Sequence, residues 1–490
     1  MAGRPGVKEL ATAPLGPLLL RYSWPALVAM ALNALYAVVD RLYIGQGCGE
    51  EAMAALTLTF PVMILFAAFG VFIGAGHSAV LSLKLGEGDR VACEKTLGEL
   101  VAFKLLFFLV LPPLVFFNLD TVLGWCGGGK VAPGALAGAK TYLRIVLFSH
   151  LFSHLAFGLS ATLRAEGRAF DSMMSMVVGF GANILLDPIF IFGLKMGVAG
   201  AAAATDVAMV ASCLWALWCY RPGRSTVRLR WRRIGFYREL AVRAAGIGFA
   251  PFLQNLLGAA INVSLAAAFA HWAPDAAAAT TQIASLGVFQ SVLILTIMPV
   301  LGAQQGLQPI FGYNWGARNF ARVRRTLVLG FWTTTALCVV ACAVQVVPPF
   351  PRLLARLFVD GGNAGLLAKA AHDLQVSNCM LWTISINVVA TTYFQSIGHP
   401  RTAVLLSTLR QGLCLLPCIW ILPHFMDDRV LGVWLALPIS DVLCQLATVP
   451  PFFAQLRFLG KVRARRELAR ARLRRGCGWR EGTSRGRGTE

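Results

Sequence analysis

Charge is scarce in this sequence. Only 14% of its 490 residues are Asp, Glu, Lys or Arg, against about 25% in soluble domains. A water-soluble globular domain is excluded. Also absent are a nucleophile elbow, an HExxH pair and a phosphate-binding glycine loop, so no enzymatic chemistry is expected. The ~10-residue alternation of a membrane barrel is missing too. No small-residue cleavage site follows the first apolar run, so that run reads as a span and not a signal peptide. Twelve cysteines occur, most within apolar runs. Cys338/Cys342 and Cys414/Cys418 lack the flanking His or Cys of a zinc site and read as small hydrophobes. Cys48 and Cys126 both fall outside the expected spans, where a disulfide could join them. No metal or cofactor is expected beyond a possible coupling ion.

What is present is apolar surface: 57% of residues are hydrophobic and mean hydropathy is +0.66. The runs predict an all-α membrane protein of twelve transmembrane helices. The expected spans are 22–45, 52–82, 98–118, 140–163, 172–194, 198–220, 242–270, 276–305, 325–347, 372–396, 402–424 and 429–456. The net charge of +21 is concentrated. Residues 221–243 hold eight Arg and one Glu, and residues 461–490 hold eleven Lys or Arg and three Glu. Both segments are expected on the cytoplasmic side, which puts both termini inside and the chain in the plasma (inner) membrane. Acidic residues Glu50, Glu51, Asp275, Asp360, Asp427 and Asp428 fall in the opposite loops. The basic segments suit anionic lipid headgroups; nucleic acid is not an expected partner.

The chain repeats itself. Gly76 and Gly306, and Gly86 and Gly316, recur at an offset of 230; Gly167 and Gly398 at 231; Gly197 and Gly432, and Asp206 and Asp441, at 235. Two six-helix lobes in a parallel internal repeat are expected. The organisation is a cytoplasmic segment 1–21, lobes at 22–220 and 242–456, a basic linker 221–241 and a basic tail 457–490. "WRRIGFYREL" in the linker reads as an amphipathic surface helix. Gly306, Pro309 and Gly316 read as residues that shape an inner loop. Two lobes around a cleft suit alternating access better than catalysis, and one chain is sufficient for a pathway.

Ionisable residues inside the spans are few and costly. Asp40, Asp187, Thr205 and Asp206 fall at one depth, roughly 8–12 Å from the outer surface at 1.5 Å per residue. Asn183 and Asp187 share a helix face at i,i+4. Two close carboxylates cannot both stay charged in a low dielectric unless a cation sits between them. With Asn183 and Thr205 they offer oxygen ligands, which suit Na⁺ or a proton. Pro188 removes a backbone donor and predicts a kink. The counterpart stretch "CLLPC" at 414–418 has no carboxylate, so the site is asymmetric. His150 and His154 are expected to hydrogen-bond between helices.

Several stretches resemble the multidrug and toxic compound extrusion (MATE) family, bacterial type. They include "VVDRLYIGQ" at 38–46, "LRAEGRAFDSMMSM" at 163–176, "NILLDPIFIFGLKMGVAGAAAAT" at 183–205, "QQGLQPIFGYNWGARNFARVRR" at 304–325 and "FQSIGHPR" at 394–401. The resemblance covers residues 20–455. It implies export of small organic, often cationic, drugs or metabolites against H⁺ or Na⁺, with the cation site at Asp40, Asn183, Asp187 and Thr205 and Asp206 as a secondary candidate. Uncharged Gln254, Asn255 and Asn387 depart from members with acidic residues in the second lobe. The substrate cleft is expected at Asn33, Tyr36, Gln254, Gln282, Phe289 and Gln290. The rival reading is a flippase or exporter of a lipid-linked or other specific metabolite.

Overall fold

Asp89 and Asn319 each open a helix by the same device. The Asp89 carboxylate accepts from the Ala92 amide at 2.9 Å and the Asn319 side chain accepts from the Arg322 amide at 3.2 Å. Gly167 and Gly398 close helices in the left-handed region, at φ 86° and 79°. Both pairs stand at equivalent places in the internal repeat, so local chemistry recurs with it.

The computed structural model describes residues 5–127, 131–359 and 363–482, with side chains except those of 5, 6, 49, 50 and 463–482. Glu50, Asp360 and the tail beyond 462 therefore lie wholly or in their side chains outside the described residues. Among those residues there is no strand. Eleven helices are long and apolar enough to cross a membrane: α1 (Leu15–Cys48), α2 (Glu51–Glu87), α3 (Arg90–Phe117), α4 (Pro133–Ala165), α5 (Ala169–Gly193), α6 (Val198–Cys219), α7 (Arg238–Trp272), α8 (Ala276–Gly316), α9 (Phe320–Val346), and, after a gap, α11 (Pro400–Phe425) and α12 (Arg429–Val462). The gap is filled by α10, assembled from Ala364–Asn378, a 3₁₀ turn at Leu381–Ile384 and Ser385–Ser396. Its break explains why it is not one long apolar helix. The backbone from Leu15 to Glu87 is helical throughout. A Cβ on Gly45 would nevertheless lie 3.6 Å from the Met53 sulfur, so the chain doubles back between α1 and α2.

Each lobe has its own cores. Leu81, Leu97, Leu100, Leu159 and Cys219 pack together in the first; Leu265, Phe269, Phe289, Leu374 and Trp434 in the second. Between the lobes, Ala79 and Val80 of α2 pack on Ala244 and Ile247 of α7. Glycines let the backbones meet there. A Cβ on Gly76 would lie 2.1 Å from the Ala244 carbonyl oxygen, and one on Gly248 would lie 2.0 Å from that of Phe72. Gly306 faces Ser23 of α1. The repeated glycines Gly76 and Gly306 are thus lobe-to-lobe contacts, not merely shapers of a loop.

The linker differs from expectation. Only Trp231–Arg233 forms a short 3₁₀ turn before α7 starts at Arg238. Tertiary contacts override the amphipathic pattern. Glu94 of α3 holds Arg230 at 3.1 Å and Arg233 at 2.5 Å, and the Tyr237 amide donates to Glu99 at 2.7 Å. Cys48 and Cys126 are both free thiols, and Cys48 packs 3.8 Å from where a Cβ on Gly197 would sit.

Candidate functional site

The first lobe gathers its polar groups where α1, α5 and α6 meet. Asn183 and Asp187 follow one face of α5 and are fully buried; Thr205 of α6 and Asp40 of α1 are each 7% exposed. The Asn183 amide donates to Asp187 Oδ1 at 3.2 Å and to Thr205 Oγ1 at 3.1 Å. Thr205 in turn donates to the Ala201 carbonyl at 3.1 Å. The four expected residues therefore converge from three helices.

Asp40 Oδ1, Asp187 Oδ2 and Asn183 Oδ1 are buried with no hydrogen-bond partner among the described residues. The charge of Asp40 acts on Asp187. Arg41 is the nearest cation in sequence; its charge acts on Asp40, but its side chain is exposed and lies over Phe60, outside the buried cluster. A buried carboxylate pair without a cation must take up a proton or a metal ion. Among the described residues no group of three His, Cys, Asp or Glu could hold a metal ion. What this chemistry offers is a set of hard neutral and anionic oxygens.

The loss of a backbone donor at Pro188 produces a local change of helix. α5 passes into a π-turn over Ile189–Gly193, immediately beyond Asp187. Such wide turns are frequent at functional sites.

Neighbouring candidates sort by face. Asp206 follows Thr205 by one residue, about 100° around the helix. It is half-buried and turns towards Ser149 of α4, and its charge reaches Tyr142 beside the cluster. Tyr36, expected in a substrate cleft, stacks on Phe180 at 5.3 Å and lies within the field of Asp40 and Asp187. Buried Tyr142 of α4 lies in the same field. Sequence reasoning passed it over, because a lone Tyr in an apolar run carries no signal. His150 and His154 do not hydrogen-bond between helices through the buried His150 Nε2 and His154 Nδ1. They stack on Phe66 and Phe107, at 4.4 and 4.9 Å. Lys104 is fully buried and donates to the Gly70 carbonyl at 2.7 Å.

The remaining cleft candidates have different surroundings. Asn33 and Gln254 are exposed. Gln282 is buried, and its oxygen accepts from the Trp434 indole at 3.0 Å, so it serves the second-lobe core. Phe289 and Gln290 line a second-lobe cavity of about 180 Å³ together with Asn262, Arg410, Gln411 and Asp441. Asn255 donates to the Pro251 carbonyl, and Asn387 to the Leu406 carbonyl at 3.0 Å. Asp441, the repeat equivalent of Asp206, has a different partner. Arg410 Nε donates to its Oδ1 at 2.6 Å. The signal for that pair was an Arg inside an apolar run, at "STLRQGLC".

Comparison with known proteins places the chain as a whole. A family model described as MatE matches residues 25–189 and 244–421. Multidrug export protein MepA of Staphylococcus aureus (strain N315) is 25% identical, over 89% of this chain and 93% of its own. MepA of Staphylococcus haemolyticus (strain JCSC1435) is 24% identical over 87% and 90%. Among solved structures, the MATE multidrug transporter DinF-BH in complex with R6G is 30% identical, with a TM-score of 0.80 over 90% of this chain and 97% of that one. A multidrug resistance MATE family transporter of the MOP superfamily, in an outward-facing conformation, shares the fold at a TM-score of 0.85 over 94% and 100%, with 23% identity.

Proposed function

The chain belongs to the MatE family, and from that premise we propose that it is a cation-coupled antiporter, driven by H⁺ or Na⁺, which exports organic, often cationic, drugs or metabolites by alternating access. The observation that carries this is the buried set of unpartnered oxygens on Asp40, Asn183 and Asp187, with Thr205 beside them. The names of the relatives, a multidrug export protein and a multidrug transporter, support the substrate class.

The cycle follows from the charge of the site. With the lobes open outward, Asp40 and Asp187 take up the coupling ion. Neutralisation removes the attraction for a cationic substrate and the repulsion between the two carboxylates. The π-turn after Pro188 gives α5 a place to repack. The lobes then rock, the ion leaves to the cytoplasm and the substrate loads on the re-ionised site. Two ligands that prefer different charge states of one site are coupled. The basic linker and tail lie against anionic headgroups on the cytoplasmic face of the inner membrane.

The test is ethidium uptake into proteoliposomes under an imposed pH or Na⁺ gradient. One gradient should drive uptake by the wild type, and Asp187→Asn should abolish it. Uptake by the mutant at the wild-type rate would overturn the reading.

A further inference from the structure

We propose that the second-lobe cavity is a binding site of its own, taking the carboxylate-bearing end of an organic anion or zwitterion, with Arg410 as the residue that receives the carboxylate. At about 180 Å³ the cavity is smaller than a site for a whole drug-sized molecule. It has room for one ring-sized end.

Its chemistry is opposite to that of the first-lobe cluster. Arg410 donates to Asp441 through Nε alone, at 2.6 Å. A guanidinium has five N–H donors, arranged as a fork that matches a planar carboxylate. No second ion pair occupies Arg410 among the described residues. Both partners line the cavity, but the Arg410 side chain is 26% exposed while that of Asp441 is 3% exposed, so the cation is the more accessible of the two.

Other groups complete the site. Gln411 Oε1 is buried with no partner among the described residues and, as an acceptor, suits an N–H of a zwitterion and not the carboxylate itself. The Gln290 amide donates to Asn262 Oδ1 at 3.0 Å. Phe289 supplies a flat apolar wall. Arg410 and Gln411 are consecutive, and on a regular helix they would diverge by about 100°. Both nevertheless line the cavity, where α11 passes through a π-turn over Leu409–Leu415. Each lobe therefore carries a π-turn beside its polar site, the first next to carboxylates and the second at a guanidinium.

The experiment is fluorescence polarisation on the purified full chain in detergent, without any ion gradient, so the antiport reading can fail separately. The probes are rhodamine B, which has a free carboxylate, and rhodamine 6G, its esterified relative. The variant is the double substitution Arg410→Gln with Asp441→Asn, which removes both charges together and leaves neither buried alone. Rhodamine B should bind the variant at least tenfold more weakly, with rhodamine 6G changed less than twofold. Equal loss of both dyes, or loss of neither, overturns the proposal. On the wild type, millimolar benzoate should displace rhodamine B and leave rhodamine 6G bound. Failure to displace rhodamine B overturns the proposal without any variant.

Discussion

Gly86 and Gly316 each press against the backbone of the other's helix across the lobe boundary. A Cβ on Gly86 would stand 2.0 Å from the Tyr313 carbonyl oxygen, and one on Gly316 would stand 2.1 Å from that of Leu83. The contact is reciprocal because the two residues are equivalents in the repeat. It joins the ends of α2 and α8 nearest the basic loops. On the proposed topology this is a closed cytoplasmic gate.

Gly86→Leu should open that gate. Overpacking costs about 1–3 kcal/mol, or roughly a 5- to 150-fold shift in the ratio of closed to open lobes. Spin labels at Arg90→Cys and Ala317→Cys should report a longer distance in the Gly86→Leu background. An unchanged distance distribution would show that the lobes are held elsewhere.

Asn183 ties Asp187 to Thr205 with a single amide. Asn183→Leu should raise the concentration of coupling ion needed for half-maximal ethidium uptake by tenfold or more. Thr205→Ser keeps the oxygen and should shift it less than threefold. Initial rates across a series of H⁺ or Na⁺ concentrations give both numbers. Equal effects of the two substitutions would argue against a ligand role for these oxygens.

Trp434 is fully buried between Phe269 and Phe289, with ring centroids at 4.8 and 5.5 Å, and donates to Gln282. Trp434→Ala should cost about 3–5 kcal/mol of stability. Trp434→Phe keeps most of the packing but strands the Gln282 oxygen, at about 1–3 kcal/mol. The fraction of monodisperse protein left after heating, read by size exclusion, should fall in that order.

Glu166 lies just past the end of α4 and is 1% exposed. Burial pushes its carboxyl up to about 7, opposed by the Ser225 hydroxyl and Arg168. The folded protein therefore holds this proton more tightly than the unfolded chain. The resulting stability is complete below the ordinary value of 4.5 and is lost as pH rises through about 7. Apparent Tm should be higher at pH 5 than at pH 8, and Glu166→Gln should reduce that difference by at least half. An undiminished difference would assign the pH dependence to other groups.

Much of this protein is local in origin and was readable along the chain. The apolar runs demand helices, because a backbone in lipid must satisfy its own hydrogen bonds. The offset of about 230 exposes the repeat, and Gly167 and Gly398 keep their left-handed turns in both copies. Asn183 and Asp187 share a face by helix periodicity alone, and depth along the spans brings in Asp40 and Thr205. Other features depend on how helices are rotated against partners far away in sequence. Arg410 meets Asp441, Trp434 meets Gln282, and Gly86 meets the backbone near Gly316. Tyr142 joins the carboxylates, and Glu94 pulls the linker out of its helix-like pattern, for the same reason. Periodicity tells which face a residue occupies on its own helix. Which neighbour that face meets is set by packing, and packing exists only once the helices have assembled.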